Sequence, residues 1–414
     1  MADDALPIKR NTALLAAVLA VYIGVLQLGA AVLSLTFVLV TGIESLLGLG
    51  PAIYLVAAAL SALPAGRAMD RFGRVPVIAI GFVLGSLGCV VTAAGTHWEL
   101  GAAVIIGFVL LGVSGAVTLL IRTAAGDMYP PERRARGISL VLFGAIFGAI
   151  LGPAVFGPLF ADKDVEADTL TVPWLAAGGL SLVALGLVLF VRPDPKVIGE
   201  RLSQGVRPLE SDPVKWSDPV AAPLSEIVRR PGVITAMIAA LASFGVMVSV
   251  MNLTGYVVVD HHHHSQSSVF PIIGAHVLGM YALVLVIGSL IDSIGRIRAL
   301  AAGLVTMAAS CAGLLFFDDV LMTGVLLFGL GLGWSLSFVA ATAQLADATS
   351  PAERGKLLGL NDLLAGLLGA ALALVGGIAL DTLGVAALAI GATILAMAPA
   401  FVITRAARVA EATS

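Results

Sequence analysis

Two ionisable residues lie inside stretches of sequence that are otherwise apolar. Asp362 comes six residues after Lys356, about 9 Å into an apolar helix at 1.5 Å per residue. A carboxylate in hydrocarbon is costly and is a functional candidate by default, so Asp362 is our candidate for proton exchange and proton coupling. The alternative is a structural carboxylate near the inner interface that is hydrogen-bonded to Asn361 or to a loop arginine. Arg122 ends another apolar run, and we expect it either to extend toward water or to pair with Asp127 or Asp362.

Five of the six histidines fall in one region. The end of one apolar run is followed by His261, His262, His263 and His264, and His276 begins the next run with Met280 one turn further on. Imidazole and thioether groups together suit Zn, Ni, Co or Cu, so a transition metal is one candidate ligand of this region, and no cofactor is expected. Histidine can also sense or relay protons. The third interpretation is a short solvated loop.

A charged loop occurs twice, with glycine, aspartate, glycine and arginine at the same spacing. The copies are Gly66–Arg74 and Gly288–Arg296, and the offset between their aspartates is 222 (292 minus 70). Two further aspartates, Asp127 and Asp347, have an offset of 220 (347 minus 127), and each begins a short stretch that ends in Glu-Arg. A nearly constant offset indicates two copies of one structural unit.

The loop glycines permit tight turns and close approach of helices, and the loop aspartates can cap a helix or pair with a nearby arginine. We therefore predict a gating loop formed by Gly66, Asp70, Arg71, Gly73 and Arg74 in the first copy and by Gly288, Asp292, Gly295 and Arg296 in the second. Asp127 and Asp347 are predicted to relay charge with Asp362 and Arg122.

The composition excludes an ordinary soluble protein. The chain is 59% hydrophobic and 12% charged, whereas about a quarter of the residues of soluble domains are charged. Apolar stretches of about 20 residues recur, which is the length that crosses about 30 Å of hydrocarbon as a helix. We predict an all-α polytopic membrane protein. No nucleotide-binding loop, His-Glu-x-x-His helix or nucleophile with a histidine partner is seen, so an enzyme is not expected.

We predict twelve spans, at about 12–40, 46–66, 75–95, 100–122, 137–160, 172–192, 232–259, 269–290, 299–317, 320–345, 357–379 and 384–404. They form an N-terminal six-helix bundle (1–192) and a C-terminal one (232–414), joined by a central loop (193–231). Of the 23 Lys and Arg residues, Lys163 alone falls on the outer side of this arrangement. This bias predicts cytoplasmic termini in the inner (plasma) membrane.

Six plus six spans, a central loop and a Gly-x-x-x-Asp-x-x-Gly-Arg loop after the second and eighth spans resemble the major facilitator superfamily, and most closely its bacterial proton-coupled drug antiporters. The resemblance implies two pseudo-symmetric bundles around a cavity and transport by alternating access. It also implies that the gating loop locks neighbouring helices on the inner side. The expected partners are a small-molecule substrate, protons and the lipid bilayer, with no nucleic acid, and the expected state is a monomer.

The fifth span places small residues at i, i+4 and i+8, which favours close helix packing beside a proline bend. These residues are Gly144, Gly148, Gly152, Pro153 and Gly157. The pattern resembles the fifth-helix signature of antiporters and favours export, although three residues rather than two separate the proline from the next glycine. In the fourth span, Phe108 stands where drug antiporters carry an arginine.

The resemblance also implies that the first helix of each three-helix unit lines the cavity. The polar or aromatic residues at mid-depth there are Gln27, Ser114, Thr118, Asn252, Trp334 and Ser337. Such a sparse lining suits a lipophilic compound better than a sugar or a dicarboxylate. We therefore expect proton-coupled efflux of a small lipophilic compound. The alternatives are export of a transition metal through the histidine region and a non-transporting membrane sensor.

Overall fold

Most of the chain whose structure is described is helical. The computed structural model describes residues 6–42, 49–160, 166–203, 222–258 and 269–413, and no strand occurs within these ranges. The helices of the first sequence half are α1 (Ile8–Thr41), α2 (Leu49–Phe72), α3 (Arg74–His97), α4 (Gly101–Leu119), α5 (Ile121–Asp127), α6 (Arg134–Leu142), α7 (Gly144–Phe160) and α8 (Thr171–Leu189). The rest are α9 (Pro195–Ser203), α10 (Leu224–Ile227), α11 (Val233–Tyr256), α12 (Val269–Tyr281), α13 (Val284–Ile294), α14 (Arg296–Gly313), α15 (Val320–Asp347), α16 (Arg354–Leu383) and α17 (Val385–Thr413).

Within the described ranges, ten helical segments are long and apolar enough to cross a membrane, or eleven when the bent pair of α12 and α13 is counted as one span. The remaining predicted span corresponds to α14, which has 18 residues and begins with the two charged residues Arg296 and Arg298. Each of the twelve predicted spans therefore coincides with a helix or a helix pair.

Besides the span predicted at 100–122, which Leu120 divides into α4 and α5, two predicted spans differ from single straight helices. The span predicted at 137–160 is divided into α6 and α7, and the span predicted at 269–290 is bent by 44° between α12 and α13. The residues between the helices are Phe143 in the first break and Ala282 and Leu283 in the second. None of these is a proline or a glycine, the residues that mark most kinks in a sequence. The apolar pattern therefore runs through both breaks without interruption.

The chain divides into two compact units, and each unit includes a short segment from the other half of the sequence. The first unit comprises Met1–Pro130, Leu140–Ile227 and Thr349–Leu363. The second comprises Pro131–Ser139, Val228–Ala348 and Leu364–Ser414. The exchanged segments are the stretches that follow Asp127 and Asp347, the second pair of repeated aspartates.

The two units share several helix pairings. In the first, α3 packs on α4 and α8, α1 packs on α7 and α8, and α2 packs on α4. In the second, α14 packs on α15 and α17, and α12 packs on α15. Glycines permit the closest approaches: a Cβ on Gly107 of α4 would lie 2.1 Å from the Thr92 hydroxyl of α3.

Candidate gating and coupling site

The duplicated loop has the same backbone geometry in both copies. Gly73 separates α2 from α3 with φ 96°, and Gly295 separates α13 from α14 with φ 90°. Residues with a side chain rarely adopt such positive φ values, so glycine is needed at both places. Each loop is a one-residue break, which keeps the aspartate before it and the arginine after it close together.

Each loop aspartate caps the start of a helix from the other sequence half. In the first unit the Asp70 carboxylate accepts hydrogen bonds from the backbone N–H groups of Gly355 (2.8 Å) and Lys356 (2.6 Å), at the start of α16. In the second unit Asp292 accepts from the N–H groups of Ala135 (3.3 Å) and Arg136 (3.0 Å), at the start of α6. A carboxylate there satisfies unpaired donors and faces the positive end of the helix dipole.

The first loop glycine of each copy lies against the capped helix. A Cβ on Gly66 would lie 1.9 Å from the Gly355 carbonyl oxygen, which is backbone and cannot rotate away. A Cβ on Gly288 would lie 2.4 Å from the Ser139 hydroxyl. Both glycines are therefore needed for contact between the loop and the exchanged segment.

The first charge cluster consists of Asp70, Arg74, Asp127 and Arg354. The Arg74 guanidinium donates to Asp127 (2.7 Å), to Asp70 (2.8 Å) and to the Pro351 carbonyl oxygen (2.5 Å). Arg354 forms a further ion pair with Asp127. The Arg74 and Asp127 side chains have no exposed surface, so these charges depend on one another for stabilisation.

The second charge cluster consists of Asp292, Arg296, Asp347 and Arg134. The Arg296 guanidinium donates to Asp292 (2.5 Å), to Asp347 (3.1 Å) and to the Pro131 carbonyl oxygen (2.5 Å), and Arg134 also pairs with Asp347. Each member has its counterpart in the first cluster at one of the two repeat offsets. The second cluster is more accessible to water than the first, because the Asp347 side chain is 28% exposed whereas the Asp127 side chain has no exposed surface.

The start of the central loop covers the first cluster. Asp194 accepts hydrogen bonds from the N–H groups of Arg74 (3.1 Å) and Val75 (2.8 Å), which begin α3. The Lys196 ammonium donates to the Asp70 carbonyl oxygen at 2.5 Å. Helix α9 is thereby fixed on the loop.

Gly199 of α9 lies on the same cluster, because a Cβ there would come 2.9 Å from the Asp127 carbonyl oxygen. Glu200 lies one helical turn after Lys196. Partial burial raises the pKa of the Glu200 carboxyl, while the nearby ammonium group of Lys196 acts to lower it. The first residues of the central loop are thus part of the site.

Arg122 and Asp362 form an ion pair inside the first unit. The Arg122 guanidinium donates to Asp362 Oδ1, and the Asn361 amide approaches the same oxygen at 3.3 Å. Arg122 is 2% exposed and Asp362 is 9% exposed. Among the described residues, Asp362 Oδ2 has no hydrogen-bond partner. The sequence left open whether Arg122 extends toward water or pairs with Asp127 or Asp362. In the structure it pairs with Asp362.

The residues predicted to line a cavity lie in different surroundings. Trp334 of α15 stacks on Phe338 with ring centroids 4.6 Å apart and meets Tyr281 of α12 edge-on at 6.3 Å. Within the described residues, the Trp334 indole N–H has no hydrogen-bond partner. Ser337 donates to the Leu300 carbonyl oxygen of α14 at 3.4 Å and so lies between two packed helices.

In the first unit, Thr118 donates to the Ser114 carbonyl oxygen at 2.8 Å. Ser114 lines a small pocket inside the unit, together with the hydroxyl pair of Tyr22 and Tyr54 (3.1 Å). Gln27 packs against Gly152. The side chain of Asn252 lies outside the described residues.

The small-residue face of the fifth span packs on α1. Cβ atoms on Gly144 and Gly148 would lie 2.0 Å and 2.4 Å from the carbonyl oxygens of Ala16 and Ala20. Both glycines are therefore needed for this contact. The surroundings of Pro153 and Gly157 fall outside the described part of the structure.

Comparison with known proteins decides the family. The profile described as Major Facilitator Superfamily matches residues 11–373 and 258–413. This chain belongs to the major facilitator superfamily. The Riboflavin transporter RfnT of Brucella anthropi is 33% identical over 311 residues, which cover 74% of this chain and 73% of that protein. Multidrug resistance protein 2 of Bacillus subtilis is 26% identical over 344 residues, 79% of each chain.

The fold of this superfamily member is similar to that of solved relatives. The structure of the proton:xylose symporter XylE bound to 6-bromo-6-deoxy-D-glucose has a TM-score of 0.74 at 17% identity, covering 96% of this chain and 95% of that one. The predicted family and the all-α, twelve-helix membrane fold are confirmed. The chain is thus a multi-pass membrane transporter.

Several site residues of this superfamily member were not predicted from the sequence. Arg354 and Arg134 complete the two clusters, and their offset is the same as that of Asp127 and Asp347. The sequence therefore contained one indication of these two arginines, namely that they are separated by the same offset as the two aspartates. Arg71, in contrast, was assigned to the gating loop but is exposed and lies over the Phe72 ring, 5.2 Å from its centroid.

The histidine region of this superfamily member is described only in part. His276 is 2% exposed, and its Nδ1 lies 2.9 Å from the Leu327 carbonyl oxygen. The other four members of the predicted metal site lie outside the described residues, namely His261, His262, His263 and His264. Among the residues that are described, no group of three or more His, Cys, Asp or Glu side chains could hold a metal ion.

Proposed function

We propose that this protein is a secondary active transporter that works by alternating access and couples inward proton movement to the efflux of a small lipophilic compound. The observation that carries the proposal is the buried pair of Arg122 and Asp362. An acid buried within a membrane bundle is costly to maintain, and proton relays in transporters are built from such groups.

The geometry of the pair supports a coupling role. Asp362 Oδ1 accepts from Arg122, while Oδ2 is available for a proton. A proton at Oδ2 cancels the carboxylate charge and weakens the attraction to the guanidinium. Because Asp362 belongs to the exchanged segment 349–363 and Arg122 to α5, the weakened pair lets these two elements separate.

The gate in this proposal is the set of contacts around the duplicated loops. Opening toward the cytoplasm requires Asp70 to leave the start of α16 and Asp292 to leave the start of α6. The charge bias of the loops supports cytoplasmic termini and a place in the inner membrane. The partners are the substrate, protons and the surrounding lipid, and the transporter acts as a monomer.

The substrate class follows from the sparse polar lining and from the ring stack at Trp334. A flat aromatic compound can bind against such rings with offset-stacked or edge-to-face geometry. The packed glycine face of α7 and the similarity to Multidrug resistance protein 2 support efflux. The similarity to the Riboflavin transporter RfnT favours a second candidate, a flat aromatic heterocycle, which the same stack suits.

Reconstituted liposomes with an internal pH dye test the proposal. Lipophilic cations and riboflavin, added separately under a proton gradient, are expected to trigger proton flux through the wild-type protein. Flux should fall to the level of protein-free liposomes in Asp362→Asn, because the proton site is lost. Asp168→Asn is the matched control, since this exposed carboxylate pairs with His97 at the surface.

Coupled flux that persists in Asp362→Asn would refute the coupling role. Because that variant leaves Arg122 buried without its carboxylate, the double variant Arg122→Gln/Asp362→Asn shows whether a loss of flux reflects folding. If the folded wild-type protein shows no proton flux with any of the compounds, the alternative of a non-transporting membrane sensor is favoured.

A second expectation concerns Trp334. Trp334→Leu should raise the KM for an aromatic substrate about fivefold, the equivalent of one lost aromatic pair at about 1 kcal/mol. Trp98→Leu is the control, because the Trp98 side chain is largely exposed. Initial transport rates give both KM values, and equal values in the two variants would exclude an aromatic contact at Trp334.

A further inference from the structure

The ion pair of Arg122 and Asp362 has a third member, Asn361, which precedes the aspartate on α16. Asn361 is 4% exposed, and its Nδ2 donates at 3.3 Å to Asp362 Oδ1, the same oxygen that accepts from the Arg122 guanidinium. An ionised carboxylate only accepts hydrogen bonds, so the amide turns its N–H end toward it. Asn361 therefore contributes one hydrogen bond to the ionised form of Asp362.

Two buried oxygen atoms of this group are left over. Within the described residues, neither Asn361 Oδ1 nor Asp362 Oδ2 has a hydrogen-bond partner. Buried polar atoms are nearly always paired in native proteins, because an unpaired one loses its bonds to water without compensation. The two oxygens cannot pair with each other while the carboxylate is ionised, since both are acceptors.

A proton on Asp362 Oδ2 supplies the missing donor. The new O–H donates to Asn361 Oδ1 while Asn361 Nδ2 still donates to Asp362 Oδ1, which makes a cyclic pair of a carboxylic acid and an amide with two hydrogen bonds. The final torsions of asparagine and aspartate rotate over a broad range, so the two planar groups reach this arrangement at low cost. The proton binds to Oδ2, the carboxylate becomes a neutral acid, and no other covalent bond forms or breaks.

The surrounding charges leave this balance to two residues. Arg122 of α5 is the charged group that pairs with Asp362 among the described residues. The other charged groups on the elements around the pair are the first charge cluster, Lys196 and Glu200 of α9, and Lys356 of α16. The cluster members pair with one another, Lys196 pairs with Glu200, and Lys356 donates to the Ala222 carbonyl oxygen. Arg122 favours the ionised form of Asp362, and Asn361 has one more bond to offer to the protonated form.

We propose that Asn361 is a positioning residue for proton coupling, whose amide stabilises the protonated form of Asp362 through this two-bond pair. The proposal rests on the coupling role given to Asp362 above. Asn361 and Asp362 are consecutive residues of one helix, so the protonated pair stays together when Arg122 withdraws. The neutral acid thus keeps its hydrogen bonds while α5 and the segment 349–363 separate.

Infrared difference spectra of the full-length protein in liposomes, recorded as the pH is lowered, test this pair without any substrate. The C=O band of protonated Asp362 is identified by its absence in Asp362→Asn, and the pH at which half of it has appeared is its midpoint. Asn361→Leu removes two hydrogen bonds from the neutral acid but one from the carboxylate. We expect its midpoint to fall by about one pH unit, which is a tenfold weaker binding of the proton.

Asn11→Leu is the matched control, because Asn11 is a buried asparagine whose amide is already paired with Arg10 and with the Pro193 carbonyl oxygen. Its midpoint should equal that of the wild type. A midpoint that rises in Asn361→Leu would overturn the proposal, since Asn361 would then stabilise mainly the ionised form. An unchanged midpoint, an equal fall in Asn11→Leu, or the absence of an Asp362 band at every pH at which the wild type is folded would also overturn it.

Should Asn361→Leu fail to fold, the wild-type protein still decides. The chain has three asparagines, Asn11, Asn252 and Asn361, so isotope-labelling of the asparagine side-chain carbonyl gives few bands. One of these bands should move to lower frequency with the midpoint of the Asp362 acid band, and it should stay in place in Asp362→Asn. Labelled bands that do not move in the wild type contradict the pair. If Asp362 titrates as expected but liposome flux is unchanged in Asp362→Asn, the proposed function alone is refuted.

Discussion

Asp127→Ala is expected to leave little folded protein. The Asp127 carboxylate has no exposed surface and pairs with both Arg74 and Arg354. Alanine leaves two buried guanidinium groups without their common counter-charge. Breaking a buried pair in this way costs about 3–5 kcal/mol, which is a large part of the stability of a typical protein.

The duplicated structure supplies the control. Asp347 pairs with Arg296 and Arg134 in the equivalent cluster, but its side chain is 28% exposed. Water already reaches the Asp347 side chain and can hydrate the space that Asp347→Ala leaves, although Arg134 is itself buried, so we expect a smaller loss, of about 2 kcal/mol. The Tm and the monodisperse yield of both variants in detergent measure the difference. Equal losses would mean that burial does not distinguish the two clusters.

Under the gating proposed above, Gly66→Ala is expected to trap the transporter with its cytoplasmic side open. The added Cβ would lie 1.9 Å from the Gly355 carbonyl oxygen, and no side-chain rotation relieves a clash with backbone. Helix α2 and the start of α16 must then separate, and the Asp70 cap is lost with them. If the clash raises the free energy of the closed conformation by about 1.4 kcal/mol relative to the open one, the ratio of open to closed molecules rises tenfold.

A buried reporter cysteine measures this shift. Leu358→Cys, in a background with Cys89 and Cys311 replaced by alanine, places a thiol at a fully buried position of α16. A membrane-impermeant maleimide on the cytoplasmic side should label it at least tenfold faster in Gly66→Ala, and transport should stop. Gly179→Ala is the control, because a Cβ there meets nothing within 4 Å. Equal labelling rates would show that the Gly66 contact does not hold this side closed.

The features that could be predicted from the sequence are those encoded locally. Span length and the glycines at the tight turns of Gly73 and Gly295 are properties of short stretches, and the helices follow them. The repeat offsets are read by comparing two such stretches directly in the sequence. The breaks at Phe143 and between α12 and α13 fall on residues that are neither proline nor glycine, so the apolar pattern did not indicate them.

The partners of the charged groups were harder to predict, because they depend on distant parts of the chain. Arg354 meets Asp127 from 227 residues away, and Arg122 had two candidate partners until the fold brought Asp362 to it. Docking of α9 on the first cluster rests on Asp194 and Lys196, which in sequence are ordinary residues of a polar loop.

The exchange of the segments 131–139 and 349–363 has a consequence for biosynthesis. The first unit contains residues 349–363, so it stays incomplete until nearly the whole chain has been made. Until then Asp127 lacks Arg354, and Arg122 lacks Asp362. The ribosome must therefore deliver the second half of the chain before the first can reach its final packing, and neither half alone contains all the parts of a finished unit.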